Sequence, residues 1–498
     1  MNVNPITRLD YPDPDVIRVE DTYYMVSTTM HFMPGCEILQ SFDLVHWEHA
    51  TYVYETLDHT DAQQLKSGQN IYGQGMWAAS LRYHEGRFYI CFVANDTRKT
   101  YLYTSEKIDG PWKKQLIEGF YHDGSLLFDE DGRNYIVYGN DEIWITELNE
   151  DLTAPKKDGL HRLLVSDHKN PELGYEGSHI QKINGYYYIF LIHSLRDRWM
   201  RTEACFYSDS LEGEFTGGDV LCDDRGYCGQ GVAQGGIVDT PDGKWYAMLF
   251  QDSGAVGRIP ILLPVTWKDH FPFFGQNGHV PEEIEVHSTR PGYIYQPLVG
   301  SDDFCNGLLP RWQFNHDPDP RYYHLDALQG TYTITTREVC TELTQAVNTL
   351  TQRMSYPSCA AEVTVDASAL KEGDVAGLCA LQSCYAAVGI TKHHGKYEVL
   401  MLDKKEDGIL DMTERTVVES HQMDFRLEAD FCNMKDEARC YYRVNKGDWL
   451  PIGTVHKLYF KLDHFTGCRF GLFCYAAEET GGSACFRDFK YYDVDEIS

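Results

Sequence analysis

The chain has 498 residues, more than one hydrophobic core usually organises, so we expect two domains. Its 44 basic and 75 acidic side chains give a formal charge of −31, which argues against nucleic acid and anionic membrane surfaces as partners. Hydrophobic residues make up 43% of the chain, which excludes wholesale disorder, and its 34 tyrosines and 23 phenylalanines favour β-structure.

The first residues contain neither the cationic segment nor the apolar run of a secretory signal. No stretch approaches the roughly 18 apolar residues of a membrane span. The 15 cysteines are scattered without C-x-x-C pairs, and several, such as Cys91, sit in strand-like runs. This pattern is typical of reduced, buried cysteines rather than of a zinc site. We therefore expect a cytoplasmic protein.

A turn followed by an aromatic-rich strand recurs five times in the first 290 or so residues. Most copies have an Asp-Gly or Asn-Gly pair at the turn, a strong hairpin signal. The marker tyrosines are 46 to 65 residues apart, the size of a propeller blade, and they are Tyr24, Tyr89, Tyr135, Tyr188 and Tyr246. We predict a five-bladed β-propeller over residues 1–291, in preference to a sandwich with repeated hairpins, because closing the ring also removes exposed strand edges.

One residue upstream of each marker tyrosine occupies a comparable position. Counting back twelve positions, or eleven in the first repeat, gives Asp13, Trp77, Asp123, Glu176 and Gln234. Small residues follow in four of the five copies, as the innermost strands of a propeller require where they approach the axis. The five side chains are therefore expected to face one cavity.

Three acids in one pocket repel one another when ionised, so one is expected to keep its proton while another acts as a base. Such a pair suits glycosidic bond cleavage, with one group protonating the leaving oxygen and the other activating water or attacking carbon. Trp77 or Phe32 would offer an apolar face to a sugar ring. Two alternatives remain open: a Ca²⁺ site, which usually gathers more oxygens, and a solvated acidic ring at the mouth of the propeller.

The sequence around these positions resembles glycoside hydrolase family 43, the five-bladed propeller glycosidases. The resemblance rests on motifs in the family's order through about residue 270. They are Tyr11-Pro12-Asp13-Pro14-Asp15, Phe32-Met33-Pro34-Gly35, Ser41-Phe42-Asp43-Leu44-Val45-His46-Trp47, Met76-Trp77-Ala78, His122-Asp123-Gly124-Ser125, Tyr175-Glu176-Gly177-Ser178, Ala233-Gln234-Gly235-Gly236 and Gly257-Arg258.

The resemblance implies a role for each acid. Asp13 corresponds to the general base that deprotonates water, Glu176 to the general acid, and Asp123 to a third carboxylate that orients the acid. Asp15 lies two residues further along and could be mistaken for the base. The family inverts configuration, which implies about 6.5–9.5 Å between the base and acid carboxyls.

The same resemblance implies the sugar-binding residues. Arg258 would reach the hydroxyls of the cleaved sugar with its fork of donors, beside Phe32 and Trp77. Many relatives have a histidine on the fifth blade, sometimes tied to a central cation, where this chain has Gln234. Glutamine is a poorer metal ligand, so no cofactor is expected to be required and a structural Ca²⁺ on the axis is in doubt.

The repeat ends near residue 292, and the remaining residues 292–498 alternate as strands do. Asp303-Phe304, Arg311-Trp312-Gln313-Phe314-Asn315 and Gly471-Leu472-Phe473-Cys474-Tyr475 resemble the concanavalin-like β-sandwich appended to many family-43 xylosidases and arabinofuranosidases. A sandwich there could bind carbohydrate or form a wall that closes the pocket. We favour the wall, because a cytoplasmic enzyme gains little from anchoring to a polymer.

The resemblance implies an exo-acting glycosidase that releases α-L-arabinofuranose, β-D-xylose or both from small xylan-derived or arabinoxylan-derived oligosaccharides. Arabinofuranosidase is slightly favoured by the Gln234-type fifth blade. Within the same class, a predominantly β-1,4-xylosidase is the alternative. Outside that class, the alternatives are a non-catalytic carbohydrate-binding propeller and a protein-interaction scaffold. Neither explains three acids at matched blade positions.

Overall fold

The computed structural model describes residues 2–493, so Met1 and residues 494–498, which end the two predicted domains, lie outside the described residues. Regular structure within this span is β-strand apart from short 3₁₀ turns at Lys66–Gly68, Gly254–Val256, Leu343–Gln345 and Cys432–Met434. None of the described helices is long and apolar enough to cross a bilayer.

Five four-stranded antiparallel sheets form the blades of a propeller, which confirms the predicted fold. Each blade takes four strands in chain order from the axis outwards. Blade 1 comprises Asp15–Val19, Thr22–Val26, Gly35–Ser41 and Glu48–Tyr54; blade 2, Met76–His84, Arg87–Ala94, Lys99–Ser105 and Lys113–Ile117; blade 3, Ser125–Phe128, Asn134–Asn140, Glu142–Leu148 and His161–Ser166; blade 4, Glu176–Ile183, Tyr186–Ser194, Arg201–Ser208 and Thr216–Leu221; blade 5, Val232–Asp239, Trp245–Asp252, Arg258–Lys268 and Phe271–Phe274.

The repeated turn joins the first and second strands of each blade. Each marker tyrosine lies in the second strand of its blade and belongs to one of the hydrophobic clusters of the propeller. In blades 2 to 5 a turn glycine takes a positive φ, which costs a residue without Cβ little; these residues are Gly86, Gly132, Gly185 and Gly243. The sequence repeat therefore marks the hairpin next to the axis.

The amino-terminal segment closes the ring by lying along blade 5. Asn2–Val3 pairs with Glu283–Ile284. The Asn4 side chain donates to the Leu262 carbonyl at 2.7 Å and accepts from the Leu262 amide at 3.0 Å. Further along, the Tyr11 amide donates to the Arg258 carbonyl at 3.0 Å. This pairing carries the chain from blade 5 directly to Asp13.

The second domain is a sandwich of two large antiparallel sheets around one apolar core. One sheet has the strand order Leu410–Val418, Lys396–Lys404, Ala386–His393, Val375–Leu381, Arg469–Tyr475, Leu350–Arg353, Gln313–Asn315 and Phe32–Met33. The other has the order Tyr323–Asp326, Thr331–Thr335, Ser483–Asp493, Ser358–Asp366, Gln422–Asp430, Glu437–Val444 and Leu450–Lys457.

The edge strand Phe32–Met33 belongs to the propeller chain, so the two domains share a sheet. Buried charges reinforce this seam: Arg353 of the sandwich contacts Glu37 of blade 1 at 2.9 Å, and His49 bonds to the other Glu37 oxygen at 3.0 Å. A buried charge is tolerated only when it is paired and hydrogen-bonded. The domains are therefore locked together beside the first blade.

Three histidines meet at the same seam. The rings of His31 and His316 lie 4.8 Å apart, and His464 stacks on Tyr72 at 3.8 Å. Burial lowers the pKa of all three, that of His464 to about 3 and those of His31 and His316 well below the usual value. For His31, the neighbouring charges of His316, His464 and Arg469 act in the same direction. The folded protein therefore holds these three rings neutral.

We predict that this cluster makes the fold acid-labile. Below about pH 6.5 the unfolded chain protonates these imidazoles while the folded chain does not, so each contributes a stability loss of up to about 1.36 kcal/mol per pH unit as the pH falls. His464→Gln should flatten the decline of the thermal midpoint measured between about pH 7.5 and pH 5. His279→Gln, whose side chain is 75% exposed, is the matched control. Equal slopes for wild type and His464→Gln would contradict the prediction.

Candidate active site

The five predicted axial residues lie at the start of the innermost strands, where the chain is kinked. Asp13, Asp123 and Gln234 have φ values of 52°, 47° and 58°, a left-handed conformation that is uncommon outside glycine. In blades 2, 4 and 5 the strand pairing shifts register at this position, as at Glu176/His179. Bulges of this kind re-aim side chains and are frequent beside active sites.

Two donors hold the Asp13 carboxyl group. The Thr28 hydroxyl donates to one oxygen at 2.6 Å, and Arg258 Nη1 donates to the other at 2.9 Å. The side chain is 8% exposed. Together these bonds fix the orientation of the carboxyl group.

Glu176 and Asp123 lie together on the adjoining blades. Asn140 donates to Glu176 Oε2 at 2.7 Å, and the Gly177 amide donates to Asp123 Oδ2 at 3.0 Å. His122 Nε2 lies between them, 3.5 Å from Asp123 and 3.6 Å from Glu176. The Glu176 side chain is 21% exposed and that of Asp123 only 7%. Glu176 is thus the more exposed of the two carboxyl groups.

This corner of the pocket retains a proton near neutrality. Burial, together with the charges of Glu176 and Asp13, raises the pKa of Asp123 to about 6 against the opposing charge of His122. The charge of Asp123 in turn raises the pKa of His122 to about 9, despite the cost of burial. Because each group controls the other's titration, the pair can hold a proton close to Glu176.

Beside the acids, Trp77 and Arg258 pack with a residue that sequence reasoning missed. Phe465, on the sandwich, lies with its ring 4.3 Å from the Arg258 guanidinium carbon and 5.7 Å from the Trp77 ring. Trp77 Nε1 and Arg258 Nη2 are buried and find no hydrogen-bond partner among the described residues. These donors thus have unmet hydrogen-bonding capacity, and the rings beside them form an apolar surface.

Gln234 and Phe32 have different outcomes as predicted binding residues. Gln234 packs against Gly177, where an added Cβ would meet its amide carbon at 2.6 Å, and so lies beside the acid. Phe32 is 2% exposed, packs with sandwich residues and lies 3.4 Å beneath the Arg469 guanidinium, and its contact with a sugar stays a prediction. Its backbone pairing with Gln313–Asn315 turns it into the domain interface, where it stabilises the seam.

The propeller axis below the acids is filled by the chain's own cation. Arg82 Nη1 contacts Asp15 at 2.7 Å, and its other donors bond to Ser125, Leu126 and Ile180 on blades 3 and 4. The second oxygen of Asp15 bonds to His179 Nδ1 at 3.1 Å. Although burial raises the pKa of Asp15, Arg82 and His179 outweigh it and lower that pKa. Asp15 is thus held by the propeller's own side chains, in contrast to Asp13, the predicted base.

This arrangement does not fit an axial Ca²⁺, because a dication there would face the fixed Arg82 charge and find both Asp15 oxygens in use. Within residues 2–493, the group whose ligand atoms come within 4.8 Å of one another is His122, Asp123 and Glu176. A metal bound by that group would occupy the predicted general acid.

Removing divalent metals should leave kcat/KM unchanged, because Arg82 already neutralises the axial carboxylate. Dialysis against excess EDTA, with and without added Ca²⁺, measures this. Arg82→Met should instead destabilise the fold by about 3–5 kcal/mol, since it leaves a buried charge unpaired. Arg87→Met, on the exposed turn of the same blade, is the control. Loss of activity in EDTA with recovery in Ca²⁺ would contradict the prediction.

A carboxyl group held by two donors, a second carboxyl group beside the Asp123–His122 pair, an arginine fork and aromatic walls provide the parts that glycosidic bond hydrolysis needs. This combination at the centre of a propeller defines a glycoside hydrolase. The chain belongs to glycosyl hydrolases family 43, whose family model matches residues 3–272. The model of the beta xylosidase C-terminal concanavalin A-like domain matches residues 301–492.

The similarity to known proteins covers both domains. The chain is 27% identical to a beta-xylosidase of Formosa agariphila, over 99% of this chain and 89% of that protein. A solved bifunctional GH43-CE protein of Bacteroides eggerthii is 42% identical, with a TM-score of 0.92 over 99% of this chain; the chain spans 63% of that protein. A GH43 enzyme engineered to display endo-xylanase and exo-arabinofuranosidase activity is 27% identical, with a TM-score of 0.87 over 99% of both chains.

Proposed function

We propose that the protein is an inverting exo-glycosidase that releases terminal or side-chain pentose, α-L-arabinofuranose or β-D-xylose or both, from xylan-derived and arabinoxylan-derived oligosaccharides. The observation that carries this proposal is the packing of Phe465 against Arg258 and Trp77. A wall supplied by the second domain suits a pocket that accepts a chain end or a side-chain sugar, rather than an open cleft for a polymer.

In the proposed reaction, Asp13 takes a proton from water while Glu176 gives one to the departing oxygen. Arg258 has two tasks, since Nη1 holds Asp13 while Nη2 is free for a sugar hydroxyl. The water therefore attacks beside the sugar that Arg258 binds. His122, paired with Asp123, lies 3.6 Å from the Glu176 carboxyl group, and the Asn140 amide orients that group.

Two names among the similar proteins support the choice of pentoses, a beta-xylosidase and an enzyme with exo-arabinofuranosidase activity. We place arabinofuranosidase slightly ahead because Gln234 occupies the fifth-blade position next to the acid. A predominantly β-1,4-xylosidase is the second candidate, favoured by the beta-xylosidase relative.

The direct test compares kcat/KM on the 4-nitrophenyl glycosides of α-L-arabinofuranose, β-D-xylose and β-D-glucose, and then identifies the first product from an arabinosylated xylo-oligosaccharide. We expect hydrolysis of one or both pentosides, little of the glucoside, and a free pentose as the first product. Preference for the glucoside, or a first product longer than one sugar, would overturn the proposal.

A further inference from the structure

Asp10 connects the two halves of the sugar pocket and is not among the residues that perform the chemistry. Its carboxylate is 5% exposed and accepts two backbone amides. Oδ1 accepts from Arg258 N–H at 2.8 Å, and Oδ2 accepts from Gly467 N–H at 2.8 Å. One amide belongs to the arginine that binds Asp13, and the other lies two residues beyond Phe465.

Two glycines let the backbone come close to Asp10. A Cβ on Gly257 would lie 2.4 Å from Asp10 Oδ1, and that glycine has a φ of 108°. A Cβ on Gly467 would lie 2.1 Å from the Val256 carbonyl oxygen and 3.0 Å from the Asp10 Cβ. The two segments therefore pack against Asp10 and against each other more closely than residues with side chains would allow.

The segment that carries Phe465 has other ties to the propeller, among them the stacking of His464 on Tyr72 at 3.8 Å. The Cys468 amide donates to the Ala255 carbonyl at 2.8 Å. Arg353 fixes Asp10 itself by donating to its backbone carbonyl at 2.9 Å. Arg353 of the sandwich thus fixes the backbone of Asp10. The Asp10 side chain in turn holds the sandwich segment around Gly467 next to Arg258 of the propeller.

We propose that Asp10 is a positioning residue that holds Phe465 and Arg258 at their separation of 4.3 Å and so sets the affinity of the pocket for the cleaved sugar. One carboxylate oxygen of Asp10 accepts from Arg258 in the propeller, and the other accepts from Gly467 in the sandwich. The substrate in this inference rests on the proposed function, whereas the link that Asp10 makes between the two domains does not depend on it.

The test is Asp10→Asn, which keeps the size and one acceptor but places an NH₂ group against a backbone N–H. We expect KM for the preferred pentoside to rise about tenfold, the scale of one lost buried hydrogen bond, with a smaller change in kcat because Asp13 and Glu176 remain. The matched control is Asp302→Asn in the sandwich. Asp302 is also 5% exposed and also accepts two N–H groups at 2.8 Å, from Phe304 and Trp312.

A double-mutant cycle separates positioning from general destabilisation. If Asp10 acts through Phe465, the KM effect of Asp10→Asn should largely disappear in a Phe465→Ala background, since coupled residues are not additive. Asp10→Ser serves as a second variant if Asp10→Asn folds poorly. Full additivity, or a KM equal to that of Asp302→Asn, would overturn the inference.

Hydrogen exchange gives a readout that needs no substrate. The peptide containing Gly467 should exchange faster in Asp10→Asn than in wild type, and at the wild-type rate in Asp302→Asn. If the wild type cleaves no pentoside but this exchange difference is present, the proposed function fails and the Asp10 link stands. Unchanged exchange at Gly467 contradicts the link regardless of activity.

Discussion

Replacing Glu176 by alanine should lower kcat on a natural oligosaccharide by about 10²–10⁴-fold, the usual contribution of a positioned general acid. The natural leaving group is a sugar alkoxide, which departs poorly unless it is protonated. A nitrophenolate leaves readily without a proton, so the loss on 4-nitrophenyl pentosides should be much smaller. Comparing kcat for wild type and variant on both kinds of substrate measures this difference.

The control for this experiment is Glu172→Ala, an exposed glutamate four residues upstream. It should have wild-type rates on both substrates. Equal losses by Glu176→Ala on the oligosaccharide and on the nitrophenyl glycoside would contradict the assignment of Glu176 as the acid, because a group that protonates the leaving oxygen acts according to how basic that oxygen is.

Replacing Asp13 by alanine should lower kcat by about 10²–10⁴-fold on every substrate, because water must lose a proton whatever leaves. The Thr28 hydroxyl and Arg258 Nη1, which donate to this carboxylate in the wild type, would be left without an acceptor. The decisive measurement is therefore the rate on a 4-nitrophenyl pentoside, where the acid mutant is expected to be active and the base mutant is not.

Azide distinguishes the two roles in one experiment. It is a nucleophile that needs no base, and the truncated Asp13 side chain leaves room for it. Added azide should raise the rate of Asp13→Ala and yield a glycosyl azide, with no comparable effect on Glu176→Ala. Rescue of the Glu176 variant instead would reverse the two assignments.

The propeller and its three acids were predictable because the blades repeat in the sequence and the acids lie at a nearly constant distance from the repeated tyrosines. Tyr89 and Tyr188 mark hairpins at blade spacing, and a constant count back from them reaches Trp77 and Glu176. The inner hairpin of each blade packs with similar residue types, so the sequence repeat is recognisable even where blade lengths differ.

The remaining parts of the site have no period to reveal them. Phe465 and Asp10 are far apart in the chain and meet only when the two domains pack, so their contact leaves no local pattern. His122 lies within a recognised motif, but its position between two carboxylates depends on how blades 3 and 4 approach each other.

The packing of Phe32 against the sandwich was not predictable for the same reason. Its motif correctly indicates the loop near the pocket, but the strand pairing with the sandwich decides which way the ring points. The predicted preference for a structural second domain agrees with Phe465 as a wall residue, whereas the identity of that residue required the fold.

The central claim is single-step inversion between Asp13 and Glu176, and the anomer of the first-formed sugar tests it most directly. Proton NMR recorded during hydrolysis of the preferred 4-nitrophenyl pentoside, before mutarotation, should show α-xylose from a β-xyloside or the β-furanose from an α-L-arabinofuranoside. The predicted spacing of about 6.5–9.5 Å between the two carboxyls belongs to this outcome, because it leaves room for a water. First release of the sugar with its original anomeric configuration would contradict the account.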